Sequence, residues 1–156
     1  MSSLIGNVSG QYAENGHFYE IVLTPYSWSG ASSAASVRTL HGATGHLATI
    51  TGAGENAFIT TLIGPPSLVA WIGVSQVAGA WVFSSGPEAS GNVSYGNWQS
   101  VLSNSGTCGL MRSTGQWDDV SCTSSNYFVV EYECGAGYAF NSTSCYGWLS
   151  RISLFI

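Results

Sequence analysis

Hydrophobic and polar positions follow one another in short runs along this chain, and their period changes from segment to segment. Residues 1–15 are polar and are expected to form a flexible N-terminal segment. GHFYEIVL, residues 16–23, is rich in aromatic and β-branched side chains and predicts a strand. TPYSWSGASSAASVRTLHG follows, with Trp28, Ala31, Ala34 or Ala35, and Arg38 at three-to-four spacing. That spacing predicts a helix ending near Gly42. GHLATIT reads as a short strand or extended link. GAGENAFITTLIG predicts a second helix, with Glu55 three residues past a Gly52 cap and Ala57, Phe58 and Leu62 as its apolar stripe.

Beyond residue 68 the pattern changes to strands and loops. VAWIGV, residues 69–74, is an apolar run of strand length. AWVFSSG sets Trp81 and Phe83 on one face and predicts a hairpin partner across SQVAG. From Gly86 to Gly106 the chain is rich in Gly, Ser and Asn, contains SYGNW and shows no sustained period. Loops of this length without structure of their own are uncommon and often functional. CGLMRS and YFVVEY are the last strand candidates, with TGQWDDV as the turn between them. One strand, two helices and then several strands predict an α+β fold with a mainly antiparallel sheet.

Composition narrows the class. The chain has 156 residues, enough for one domain with a sizeable core. Hydrophobic residues make up 45% and charged residues 7%, so Ser, Thr, Gly and Asn must wet most of the surface, as suits an extracellular protein. The formal net charge is -5, with three Arg and no Lys. Such a chain has no phosphate-tracking surface, which argues against a nucleic-acid partner and against an anionic membrane. No apolar run is long enough for membrane insertion. Four Cys, at 108, 122, 134 and 145, suit two disulfides, with three pairings open. The N-terminal MSSLIGNVSG and the apolar RISLFI at the other end are expected to belong to a longer exported or cell-surface protein.

Candidate chemistry concentrates in QWDDVSC, where Asp118 and Asp119 stand side by side in a chain poor in charge. Three readings are open: metal ligands, sugar ligands, or a solvated turn in which one Asp caps backbone amides. A catalytic carboxylate pair is disfavoured, because neighbours in an extended segment point to opposite faces. His17, His41 and His46 show no i,i+4 pairing on one helix that would suggest zinc. No G-x-S-x-G elbow, H-E-x-x-H or P-loop is present, and the chain is expected not to be an enzyme.

Taken in order, GHFYEIV, SWSGASSAASV, GHLATITGAGENAFI, WIGV, WVFSSGPEAS, SYGNW and CGLMRSTGQWDDVSC with FVVEY resemble a C-type lectin-like domain over residues 16–133. GPEA and VVEYE resemble the bacterial and protist-type members. The resemblance implies two helices, a lower sheet that holds the ends together, and an upper sheet bearing a long loop. It also implies a Cys108–Cys122 disulfide and leaves Cys134 and Cys145 to pair in a tail, residues 134–156, that resembles the start of a Cys-rich module. Calcium in this family is held by a Glu-Pro-Asn or Gln-Pro-Asp loop motif and an Asn-Asp pair after the turn Trp. Asp118 and Asp119 after Trp117 keep the second part, whereas QSVLSNSGTC after GNW lacks the first. With Glu88, Asn97, Gln99 and Asn104 as the nearest other oxygens, any calcium site is weak, toward the class of about 10⁻⁴–10⁻³ M. The resemblance therefore implies a recognition module for a carbohydrate or protein ligand. Its expected surface is Glu88, Tyr95, Asn97, Gln99, Asn104, Asp118 and Asp119, with Tyr95 offering a ring for sugar stacking. The alternative is an adhesive spacer with no calcium-dependent sugar binding.

Overall fold

A computed structural model describes residues 8–64, 67–99, 106–135, 138–140 and 144–147. Strand β1 (Val8–Gln11) pairs antiparallel with β2 (Phe18–Tyr26), so the part of the N-terminal segment from Val8 onward is tied into the sheet rather than loose. Helix α1 (Trp28–Ser36) starts at Ser27, whose side-chain oxygen accepts from the Gly30 amide. Ala31 and Ala35, one turn apart, are its buried contacts. The helix stops at Ser36 instead of near Gly42. After Ala35 no small apolar residue continues the stripe, and residues 39–47 form a hairpin, β3 (Thr39–Leu40) with β4 (Ala43–Leu47). Its turn places His41 at φ 50° and Gly42 at φ 85°, the left-handed pair that a two-residue hairpin loop demands.

Helix α2 (Ala53–Ile63) follows the Gly52 cap, with Glu55 in its first turn as the sequence predicts. Strands β5 (Val69–Val77) and β6 (Ala80–Phe83) form a hairpin whose turn is Ala78–Gly79. After the long loop come β7 (Cys108–Arg112), β8 (Trp117–Val120) and β9 (Asn126–Tyr132). The acidic pair thus lies in strand β8, paired to Leu110 and Gly109, and the turn is the preceding Ser113–Gln116 segment.

Strand β9 organises the sheet. It pairs antiparallel with β2 and β4, and in parallel with β5 at Ala70↔Tyr127 and Trp71↔Phe128. This short parallel contact joins the two expected small sheets into one hydrogen-bonded network of order β1-β2-β9-β5-β7-β8. Apolar residues on both faces of β5 and β9 divide the core in two. On one face α2 supplies Ile59 and Ile63 to a cluster with Tyr19, Ile72, Met111, Trp117 and Val129. On the other, Ala31 and Ala35 of α1 meet Leu47, Trp71, Leu110, Phe128 and Val130.

Both disulfides are present: Cys108–Cys122 joins β7 to the segment after β8, and Cys134–Cys145 closes the tail. The described part of the tail, β10 (Tyr138–Phe140) paired with β11 (Cys145–Gly147), docks on the domain. Phe140 meets Phe18 edge-on at 4.9 Å, and the Cys145 amide donates to the His41 carbonyl.

Candidate functional site

The long loop has little regular structure, so its shape depends on a few anchors. Its first arm folds back on β6. The Val93 amide donates to the Trp81 carbonyl and the Phe83 amide to the Gly91 carbonyl. Its second arm runs beside β8. The Trp117 amide donates to the Asn97 carbonyl at 2.8 Å, and the Gln99 amide to the Trp117 carbonyl at 2.9 Å. Between the arms, the rings of Trp81 and Trp98 pack at a tilt with centroids 4.4 Å apart, and Trp98 and Tyr95 meet the buried Trp117 edge-on at 5.3 and 5.8 Å. Trp117 is fixed in turn: its Nε1 donates to Asn56 Oδ1 at 2.7 Å, and Asn56 Nδ2 donates to the Gly115 carbonyl. Asn97 Nδ2 donates to that same carbonyl at 2.9 Å. Helix α2, the β7–β8 turn and the loop thereby share one polar clip.

The expected site residues divide into three groups. Tyr95 and Gln99 are half-buried on the loop, and burial lifts the Tyr95 hydroxyl above the usual phenol range, so it stays a neutral donor. Glu88 and Asn97 are engaged internally: Glu88 Oε2 accepts from Thr49 Oγ1 at 3.0 Å, and Asn97 serves the clip. Asn104 lies outside the described residues. Asp118 and Asp119 are 5% and 2% exposed, which removes the solvated-turn reading.

The donor set around Asp118 and Asp119 does not fit a calcium ion. Asp118 Oδ2 takes a hydrogen bond from the Arg112 guanidinium, and Asp118 Oδ1 accepts the Asp119 amide. The Arg112 guanidinium thus supplies the positive charge that compensates Asp118. Asp119, paired to Gly109, faces the side opposite Asp118, and its Oδ2 accepts from the Gly106 amide at 3.4 Å. Among the described residues no three His, Cys, Asp or Glu side chains are grouped to hold a metal ion.

The model of the lectin C-type domain family matches residues 25–132. The chain belongs to the C-type lectin domain family. Regenerating islet-derived protein 3-alpha of Mus musculus is 30% identical over 140 residues, covering 80% of this chain and 75% of that protein. The mannose-binding protein of Gallus gallus is 33% identical over 81 residues, 49% of this chain, and the aligned stretch spans only 30% of that protein. Human lithostathine superposes with a TM-score of 0.66 at 26% identity, covering 85% of this chain and 92% of the other.

This C-type lectin domain holds a second polar centre that the sequence did not single out. Glu131, 2% exposed, lies under α2 and the loop base. Its Oε2 accepts from the Thr49 amide at 2.8 Å, and its Oε1 faces the Tyr19 hydroxyl at 3.0 Å and His17 Nδ1 at 2.7 Å. The Tyr19 hydroxyl also donates to Glu55 Oε1, and Glu55 Oε2 takes the Thr51 amide. The available signal was a carboxylate inside the apolar run FVVEY, since such a charge stays buried only with several partners. Those partners, His17 and Tyr19 at the start of β2 and Thr49 after β4, lie more than 80 positions from Glu131, so no local pattern joins them.

Proposed function

We propose that this C-type lectin domain is a non-enzymatic, extracellular recognition module with a carbohydrate ligand, held on the long loop and the adjoining edge of β8. The observation that carries the reading is the Trp81–Trp98–Trp117 aromatic cluster, with the backbone bonds from residues 97 and 99 to Trp117. It holds an irregular segment in one shape, and a preformed surface lowers the ordering cost of binding. Tyr95 offers a ring face to the C–H face of a pyranose, and Gln99 offers an amide for hydroxyls. Glu88, Asn97, Asp118 and Asp119 act from beneath by keeping loop and strand in register. Since Arg112 compensates Asp118, binding proceeds without calcium at this position.

The Gallus gallus relative is a mannose-binding protein, which makes hexoses the first ligands to try. Two disulfides fit an oxidising extracellular setting. Among the described residues no helix is long and apolar enough to cross a membrane. A glycan array read with and without EDTA tests the proposal. Binding to hexose glycans that survives EDTA and is lost in Tyr95→Ala is expected. Binding abolished by EDTA overturns the calcium-free route. Absence of any glycan binding overturns the carbohydrate ligand in favour of a protein one.

A further inference from the structure

Four of the chain's eight carboxylates (Glu55, Glu88, Glu131 and Glu133) and two of its three His gather at one joint. In a chain with 7% charged residues this is a marked concentration. Three hydrogen-bonding contacts define it. His46 Nδ1 lies 2.9 Å from the Leu47 carbonyl, and its Nε2 lies 2.9 Å from Glu133 Oε1. His17 Nδ1 lies 2.7 Å from Glu131 Oε1, and its Nε2 is 3.6 Å from Glu133 Oε2. A neutral imidazole has one N–H and one lone pair. A lone pair aimed at a carbonyl or carboxylate oxygen is repelled. His46, with an acceptor on each nitrogen, therefore requires both protons, and His17 is placed between two carboxylates.

The joint also carries the entry of the long loop. Ser85 Oγ donates to the Leu47 carbonyl, the same atom that His46 uses. The backbone of Gly86, at φ 70°, lies against the His46 ring, where a Cβ would stand 2.6 Å from Cε1. Thr49 Oγ1 stands 3.0 Å from Glu88 and 3.1 Å from Glu131, and its one proton serves only one of them at a time. We propose that His17 and His46 form a proton-operated clasp on the base of the long loop. As imidazolium ions, His17 holds Glu131 to the start of β2 and His46 holds Glu133 to β4, and together they keep Ser85–Glu88 in place; on losing their protons they release it. This goes beyond the ligand assignment and does not depend on it.

Glu131 and Glu133, from β9 and its exit, bond the two rings; Tyr19 from β2 bonds both Glu131 and Glu55 of α2, and Glu88 from the loop joins the cluster through Thr49. The described arginines pair elsewhere, Arg38 with Glu20 and Arg112 with Asp118, so the two His supply the joint's positive charge. Burial pulls both imidazoles down, but the hydrogen bonds to Glu131 and Glu133 and the surrounding negative charge outweigh it, and both end above 6.5. Burial and then the Glu131 charge push Glu55 above 4.5, against the bonds from Tyr19 and Thr51. The signs agree. A raised His contributes stability that is full below its unfolded value of 6.5 and is lost as pH rises through its folded value. Glu55 holds its proton more tightly in the folded state, so its ionisation also destabilises as pH rises. The clasp is closed in mild acid and opens on the alkaline side. A cavity of about 230 Å³ lined by Gln11, Asn15, His17 and Phe140 gives solvent access to His17.

Hydrogen exchange of peptides covering residues 84–91, corrected for intrinsic rates, tests the clasp in the intact protein. Between about pH 5.5 and 8.5, protection in the wild type is expected to fall roughly tenfold, the size of losing one charge-assisted hydrogen bond. His46→Gln and Glu133→Gln are expected to exchange at the open level at both pH values. Unchanged wild-type protection, or variants that keep the wild-type pH dependence, overturn the proposal. NMR titration of the wild-type imidazoles gives a readout without any variant: midpoints of His17 and His46 above 6.5 support it, and midpoints at or below 6.5 refute it.

Discussion

Asn56→Ala is the sharpest test of how α2 positions the site. The residue is 5% exposed and makes two side-chain bonds, from Trp117 Nε1 at 2.7 Å and to the Gly115 carbonyl at 3.0 Å. Truncation leaves the indole N–H of a fully buried Trp without an acceptor, which costs about 1–3 kcal/mol. The Gly115 carbonyl is less affected because Asn97 Nδ2 still donates to it, so that bond adds about 0.5–1 kcal/mol. The sum, about 1.5–4 kcal/mol, lowers Tm by roughly 3–16 °C in a domain of this size. Asn97→Ala removes the other donor from the half-buried loop and is expected to cost only about 0.5–1.5 kcal/mol. The double variant strips Gly115 of both donors, so it should lose more than the two singles combined, with a coupling of about 0.5–1 kcal/mol. Thermal and urea melts of the four proteins complete the cycle. An Asn56→Ala cost no greater than that of Asn97→Ala, or strict additivity, refutes the shared clip.

Three further outcomes follow from the same contacts. Replacing Cys108 and Cys122 by Ser opens a loop with a sequence separation of 14 and should cost about 3 kcal/mol in a denaturant melt. Arg112→Gln takes the charge from buried Asp118; because the arginine side chain is 43% exposed, the expected loss is about 1–3 kcal/mol, and wild-type Tm should not respond to calcium or EDTA. In Gly106→Ala the new Cβ would stand 1.8 Å from the Val120 carbonyl carbon, so the loop exit must shift; a loss of about 1–3 kcal/mol in a thermal melt is expected, with the change in hydrogen exchange centred on residues 106–108 and 119–121.

The elements that were legible are those whose cause is local. Gly52 precedes α2 with Glu55 in its first turn, as expected, because capping depends on a few neighbouring residues. VAWIGV and FVVEY read as strands because uninterrupted apolar runs of that length suit a sheet covered on both faces. The end of α1 was misplaced. Arg38 fits the helical spacing, yet in the folded chain it pairs with Glu20 of β2, a partner no local period reports. The position of the acidic pair was misread for a related reason. QWDDV contains the residues of a turn, but pairing with β7 draws Asp118 and Asp119 into a buried strand.

Amino-acid order alone thus determined the class of the molecule: two helices followed by strands, a long unpatterned loop, low charge, and the Trp-acid-Cys segment that marks the family. Tertiary structure decided what each polar group does. Whether Asp118 meets a cation or an arginine depends on Arg112, which the β7–β8 pairing brings alongside. Whether Glu131 is a surface charge or the hub of a buried network depends on His17, Thr49 and Tyr19, up to 114 positions away along the chain. Short-range propensity sets where helices and strands form, while charge compensation is settled by whichever groups the packed sheet sets within about 3 Å of each other.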